Sequence, residues 1–294
     1  MHRIATLLFT LAAWATLGRP ALAEAPQVVT DFAPIQSLVL QVMGELGTPT
    51  MLMPVGGDPH DFQLRPSEAA ALARAQVVFW DGPELMPGLA KAIGTLAPKA
   101  VSVPLLHKGG GQTRPLAEGG GLDPHAWLDP DNARAWLGTI ASVLGKIDPD
   151  HAAAYAANAT AAQIKIKALD QKLKAELAPA RGVPIVEFHD AFGYFAAHYG
   201  LNVVGTIELG DAAMPSAARL AEIRKTIRQD KAVCIFPEVG RDPKFIATVA
   251  EGTGVRIGAA QDPEATALGD KPTAQLYDAL LRHLAQTVAD CVKG

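Results

Sequence analysis

Apolar positions along this chain switch repeatedly between two spacings. A short stretch over 27–32, with Val28, Val29 and Phe32 as its apolar residues, is followed by Ile35, Leu38, Val39, Val42, Met43 and Leu46 at helical intervals, and Gly47 ends the pattern. The first spacing predicts a buried strand and the second an amphipathic helix lying on it. Further strands are predicted near 51–55, over 77–80 and over 101–105, with helices over 67–73 and 83–96 between them. A second series runs through strand 185–188, helix 190–199, strand 201–204, helix 216–228 and strand 232–236. It ends with a helix after Pro243, strand 255–259 and a last helix over 272–292. This alternation predicts an α/β fold with parallel-type sheets flanked by helices.

Between the two series the spacing changes. From about 149 to 177 nothing interrupts a helical pattern, alanine-rich at first and then carrying Ile164, Ile166, Leu169, Leu173 and Leu177 among lysines. Roughly 28 residues at ~1.5 Å each make a rod of about 42 Å, longer than a crossover helix needs. The expected architecture is two similar lobes, over 24–148 and 179–294, joined by one long rigid helix over 149–178. Residues 107–121 hold two Gly-Gly-Gly runs and an Arg-Pro pair, a composition that predicts a mobile surface loop. A helix to about Gly145 follows it, with Asp131 or Asn132 as its cap.

At 294 residues and 49% hydrophobic, the chain has enough apolar content for two cores. A net charge of -4 with scattered Lys and Arg offers no basic stripe, which argues against a nucleic-acid partner. His2 and Arg3, an apolar run from Ile4 to about Leu17, and Ala21-Leu22-Ala23 predict a signal peptide over 1–23, cleaved after Ala23. The run falls short of the ~20 residues that span a bilayer, and no cysteine follows the cut to carry a lipid. The expected product is exported. The two cysteines, Cys234 and Cys291, are then expected to form a disulfide rather than a metal site.

Candidate chemistry centres on a repeated tripeptide, Asp58-Pro59-His60 and Asp123-Pro124-His125, with a further histidine, His189, directly behind a predicted strand. Each proline fixes its own φ and restricts the preceding Asp, so these loops are pre-organised around their histidines. Donors beyond the carboxyl ends of strands in an α/β sheet are where ligands collect. Three imidazoles and one carboxylate suit tetrahedral Zn²⁺, whereas Mn²⁺ prefers a shell richer in oxygen. Asp262 and Glu238 both follow strands of the second series, and spacing does not choose the fourth ligand between them. Asp61, Asp129, Asp190 and above all Glu187, two residues from His189, are candidates to orient the rings. His107, His151, His198 and His283 are read as bystanders.

These residues carry a resemblance. Residues 57–67, 123–130 and 188–195 resemble the zinc-binding proteins of bacterial ABC importers, the ZnuA-type branch of the metal-binding solute-binding family, and the likeness extends from about Val28 to the C-terminus. It implies two α/β lobes with a metal in the cleft between them, a periplasmic location, and no enzymatic activity. Position by position it makes His60, His125 and His189 the ligands and favours Asp262 as the fourth. It implies a membrane permease of an ABC transporter as partner, and a monomer. The loop 107–121 lacks the histidine run of many zinc members, and is expected either to move on metal binding or to dock a partner such as a periplasmic metallochaperone. The rival readings are a manganese or iron carrier of the same family, a zinc hydrolase using Glu187 or Glu238 as base, and a surface adhesin.

Overall fold

The computed structural model describes residues 25–117, 120–208, 214–269 and 272–294. The expected signal peptide and its cleavage point lie outside the described residues. The first half is built from β1 (Val28–Thr30), α1 (Ala33–Met43), β2 (Thr50–Met51), α2 (Pro66–Ala73), β3 (Val77–Trp80), α3 (Pro87–Leu96), β4 (Val101–Pro104) and the short α4 (Leu105–Lys108). Two long helices follow, α5 (Pro130–Ile147) and α6 (Ala152–Glu176). The second half comprises β5 (Pro184–His189), α7 (Gly193–Tyr199), β6 (Asn202–Glu208), α8 (Ala217–Asp230), β7 (Cys234–Ile235), α9 (Pro243–Ala250), β8 (Arg256–Ile257) and α10 (Leu276–Lys293).

Each half forms a four-stranded sheet, in the orders β2-β1-β3-β4 and β6-β5-β7-β8, with every neighbouring pair parallel. The two orders are the same order repeated. In such a sheet the chain reverses its winding between the first and third strands, so a crevice opens at their carboxyl ends. In the second half that point lies between β5 and β7, where His189 ends its strand.

One large core unites the molecule. It runs from Val28, Phe32 and Leu38 through Trp136, Tyr155 and Leu169 to Phe195, Phe236, Tyr277 and Leu284. A smaller core of Val186, Phe188, Ile223, Ile235 and Val249 fills the other face of the second sheet, under α8 and α9. On α6 the buried stripe is Tyr155, Ala159, Ala162, Ile166, Leu169 and Leu173, and Ile164 points to solvent at 64% exposure. The last helix, α10, packs its Tyr277 against the first half. The Tyr277 backbone N–H donates to Ser37 Oγ at 3.0 Å, and its hydroxyl to the Trp127 carbonyl at 2.7 Å. Cys234 and Cys291 are joined, which ties β7 to the end of α10. Closing a loop of this length stabilises the fold by about 4 kcal/mol through chain entropy.

Two local expectations are corrected. Asp129, not Asp131 or Asn132, caps α5: its side chain accepts from the Asp131 N–H, and Pro130 takes the first helical position. The glycine-rich stretch is not a free loop in this structure. Asn132 holds Gln112 at both backbone groups, the Arg114 N–H donates to the Tyr194 hydroxyl at 2.9 Å, and the Ala117 N–H donates to Asp190 at 3.1 Å. Its first glycines serve close packing. A Cβ at Gly109 would lie 2.1 Å from Trp136 Cδ1 and 2.5 Å from the Leu105 carbonyl oxygen. Gly109→Ala is therefore expected to lower stability by about 1–3 kcal/mol through overpacking, read as a shift in the urea midpoint.

Candidate metal centre

The two Asp-Pro-His segments fold alike. In each, the aspartate accepts the backbone N–H of the histidine two residues on, at 2.9 Å for Asp58 to His60 and 2.9 Å for Asp123 to His125. The proline between them supplies the φ that closes this small turn. Asp123 goes further and accepts from the His125 ring at Nδ1, 2.8 Å away. With Nδ1 carrying that proton, the His125 Nε2 lone pair faces the crevice. Gly193 backs this arrangement, since a Cβ there would sit 2.7 Å from Asp123 Oδ2.

His189 arrives from the second half at the end of β5, fully buried. Its Nδ1 meets Glu238 Oε2 at 2.5 Å, and its Nε2 lies 3.3 Å from His125 Nε2. His60 closes the third side, its ring centroid 5.6 Å from that of His125 and 5.8 Å from that of His189. The fourth group in the cluster is Glu264, whose Oε1 is 3.7 Å from His189 Nε2 and 3.9 Å from His60 Nε2. One donor atom from each of these four residues lies within 4.8 Å of every other. Zn–N and Zn–O bonds of about 2.0–2.1 Å at tetrahedral angles imply donor–donor edges of about 3.3 Å, close to the His125–His189 separation. Glu264 Oε1 is buried and has no hydrogen-bond partner among the described residues, as an oxygen kept for a ligand would be.

Asp262 sits elsewhere. Its Oδ1 accepts from the Thr266 N–H at 2.8 Å and the Thr266 hydroxyl at 2.9 Å, and its Oδ2 from the Ala267 N–H at 2.8 Å. Both oxygens are thus spent on the turn that projects Glu264. The turn is pinned to the His125 loop by Trp127, whose indole N–H donates to the Pro263 carbonyl at 2.9 Å. Glu238 orients His189, and Glu187, though buried on the same strand face, does not touch its ring nitrogens. Asp61 is exposed, and Asp190 holds the glycine-rich stretch. The other four described histidines engage partners away from the centre: His107 pairs with Glu84, His151 with Asp148, His198 with Asp129 and Asp170, and His283 with the Ala260 carbonyl. Glu264 and the orienting roles of Asp123 and Glu238 were missed in the sequence. An Asp-x-His spacing that permits a turn was the available signal for Asp123.

Charge is finely divided here. Burial opposes a cation at His189, but the Glu238 carboxylate against Nδ1 outweighs it, with help from Glu264, and pushes the imidazole up to about 9. Burial likewise disfavours the Glu238 anion, yet His189 and then Arg241 hold its carboxyl below the usual range. Glu187 is pushed up to about 8, by burial first and then by Glu238, so it stays a neutral acid at pH 7. In the first half, burial raises Asp31 to about 7, and burial with the Asp31, Glu84 and Asp123 charges holds Asp81 well above the usual range. In the metal-free centre His189 is therefore paired as a cation with Glu238, beside a Glu187 that stays neutral.

Comparison with known proteins identifies the family. The sequence profile of the family described as "Zinc-uptake complex component A periplasmic" matches residues 28–291. The chain is 45% identical to the high-affinity zinc uptake system protein ZnuA of Paracoccus denitrificans, over 97% of each chain. It is 33% identical to the protein of the same name from Brucella abortus, over 94% of each. Among solved structures it resembles the periplasmic zinc-binding protein TroA from Treponema pallidum with a TM-score of 0.81 and 25% identity, covering 91% of this chain and 99% of that one. By both sequence and fold, the chain belongs to the ZnuA family of periplasmic zinc-uptake components.

Proposed function

We propose that this protein captures Zn²⁺ in the periplasm and delivers it to the membrane permease of an ABC importer. His60, His125, His189 and Glu264 serve as ligands, and Asp262 shapes the turn that presents Glu264. The observation that carries this reading is the buried convergence of three imidazoles and one unpartnered carboxylate oxygen, with His125 and His189 3.3 Å apart. The metal is cargo. A shell closed by four protein donors leaves no position for an activated water, which argues for a carrier and against a hydrolase. A donor set with one oxygen favours zinc over manganese. The site is complete within one chain, consistent with a working monomer, and the segment 107–121 is the proposed contact for a periplasmic metallochaperone.

The test is a chelator-competition titration of the metal-free protein with Zn²⁺ and, separately, Mn²⁺. One tightly bound Zn²⁺ with much weaker Mn²⁺ is expected; equal or tighter Mn²⁺ binding would overturn the zinc reading. The same titration separates the two carboxylates. Glu264→Gln, which replaces an anionic donor by a neutral one of equal size, is expected to weaken Zn²⁺ by about tenfold or more. Asp262→Asn is expected to act through the turn, lowering the melting temperature of the metal-free protein, which Glu264→Gln should spare. Equal zinc affinity in wild type and Glu264→Gln would return the fourth position to another group.

A further inference from the structure

Arg241 lies in the loop after β7, and its guanidinium faces three carboxylates that come from different parts of the chain. Its Nε is 3.2 Å from Glu238 Oε1, its Nη2 3.5 Å from Asp58 Oδ2, and its Nη1 3.8 Å from Glu208 Oε2. Two of these carboxylates are already committed, by their other oxygen, to a residue of the metal centre. Glu238 Oε2 holds the His189 ring, and Asp58 Oδ1 holds the His60 backbone N–H. Glu208 is the cross-strand partner of His189 in the β5–β6 register. Asp58 and His60 belong to the first half, and Glu238, Glu208 and His189 to the second.

From this we infer that Arg241 is a positioning residue that straps the His60 loop to the strand ends carrying His189, and so sets how slowly zinc leaves the closed site. The inference rests on the proposed ligand set. Geometry supports the assignment in two ways. A planar guanidinium can fork across several carboxylates at once, whereas an ammonium acts as a compact point charge. The strap is also asymmetric in exposure: the Glu238 side chain is 3% exposed, while those of Arg241 and Asp58 are 22% and 36% exposed. The inner contact is a well-shielded anchor. The outer one, across the halves, is open to salt and is the one that yields when the site opens.

The experiment loads the protein with one equivalent of Zn²⁺ and follows metal loss into an excess of chelator by stopped flow, with Trp127 fluorescence as a second signal, since its ring lies 5.1 Å from that of His125. Arg241→Ala is expected to release zinc about tenfold faster than wild type while still binding one equivalent. Arg241→Lys should fall between the two. Asp58→Asn keeps an oxygen for the His60 N–H but loses the ion pair, and should accelerate release by a similar factor. Adding Asp58→Asn to Arg241→Ala should then change little, because the contact that Asp58→Asn breaks is already lost in Arg241→Ala. Raising ionic strength should speed release from wild type and leave Arg241→Ala nearly unchanged. Failure of wild type to bind zinc would count against the ligand set itself. Normal loading with release from Arg241→Ala within twofold of wild type, or full additivity of the two variants, would overturn the strap alone.

Discussion

Replacing His189 by alanine is expected to weaken Zn²⁺ binding by ~10²–10³-fold, since the four proposed protein donors would share about 10–16 kcal/mol, about 2.5–4 kcal/mol each. The loss has two physical parts. One imidazole nitrogen leaves the shell, and Glu238, which held that ring at 2.5 Å, keeps only Arg241 as a counter-charge in a buried setting. His125→Ala should cost as much, because Asp123 would lose the ring Nδ1 it now accepts from at 2.8 Å. His283→Ala is the control. That ring bonds the Ala260 carbonyl at 3.0 Å, outside the cluster, so zinc affinity should stay within twofold of wild type. Competition titrations against a chelator of known affinity read all three. Wild-type affinity in His189→Ala would remove the end of β5 from the site and leave Glu264 as the proposed ligand by which the second half holds metal.

Much of this centre was legible in sequence because its parts are local. An Asp-Pro-His tripeptide dictates its own turn, and both copies form it with the same aspartate-to-histidine hydrogen bond. His189 was marked by the apolar strand it ends. What could not be read locally was which neighbour faces which. Asp262 and Glu264 are two residues apart, and only Asp262, set against Glu238, was weighed as a ligand: the short Asp side chain folds back onto the N–H groups of Thr266 and Ala267, as Asp does in turns, and the longer Glu reaches out. Glu187 shares a strand face with His189, but the residue that orients the ring comes from the end of β7. That fact depends on the strand order, which periodicity does not contain. Glycine was ambiguous in the same way. In 107–121 it suggested freedom, whereas Gly109 and Gly111 are glycine because Trp136 and Asn132 leave no space for a Cβ. The last helix continues the second series in sequence, yet its Tyr277 is spent on Ser37 and Trp127 of the first half.

Zinc affinity is expected to fall steeply as pH drops across the neutral range. In the metal-free protein His189 titrates at about 9, raised by Glu238 against the opposing effect of burial, so at pH 7 its Nε2 carries a proton. In the proposed ligand set zinc takes that same nitrogen. The sign follows: above about pH 9 no proton competes, and below it each unit of pH costs about tenfold in apparent affinity. Between pH 8 and pH 6 this amounts to about 90-fold from His189 alone, whereas an imidazole at its ordinary value of about 6.5 would give about fourfold. Binding at pH 7 should release close to one proton from this group, measurable by calorimetry in buffers of different ionisation enthalpy. The proton on Nδ1 stays with its Glu238 contact in both states and does not enter the count. Glu238→Gln separates cause from coincidence: with the counter-charge gone, burial alone acts on His189, its proton is held less tightly, and the profile between pH 6 and 8 should flatten. Affinity in that variant should also drop by about 10–100-fold at high pH, where no proton competes, because the ring loses the acceptor that orients it. A wild-type profile that is already flat between pH 6 and 8 would mean that His189 binds zinc without displacing a proton, and the ion pair with Glu238 would not exist in the metal-free protein.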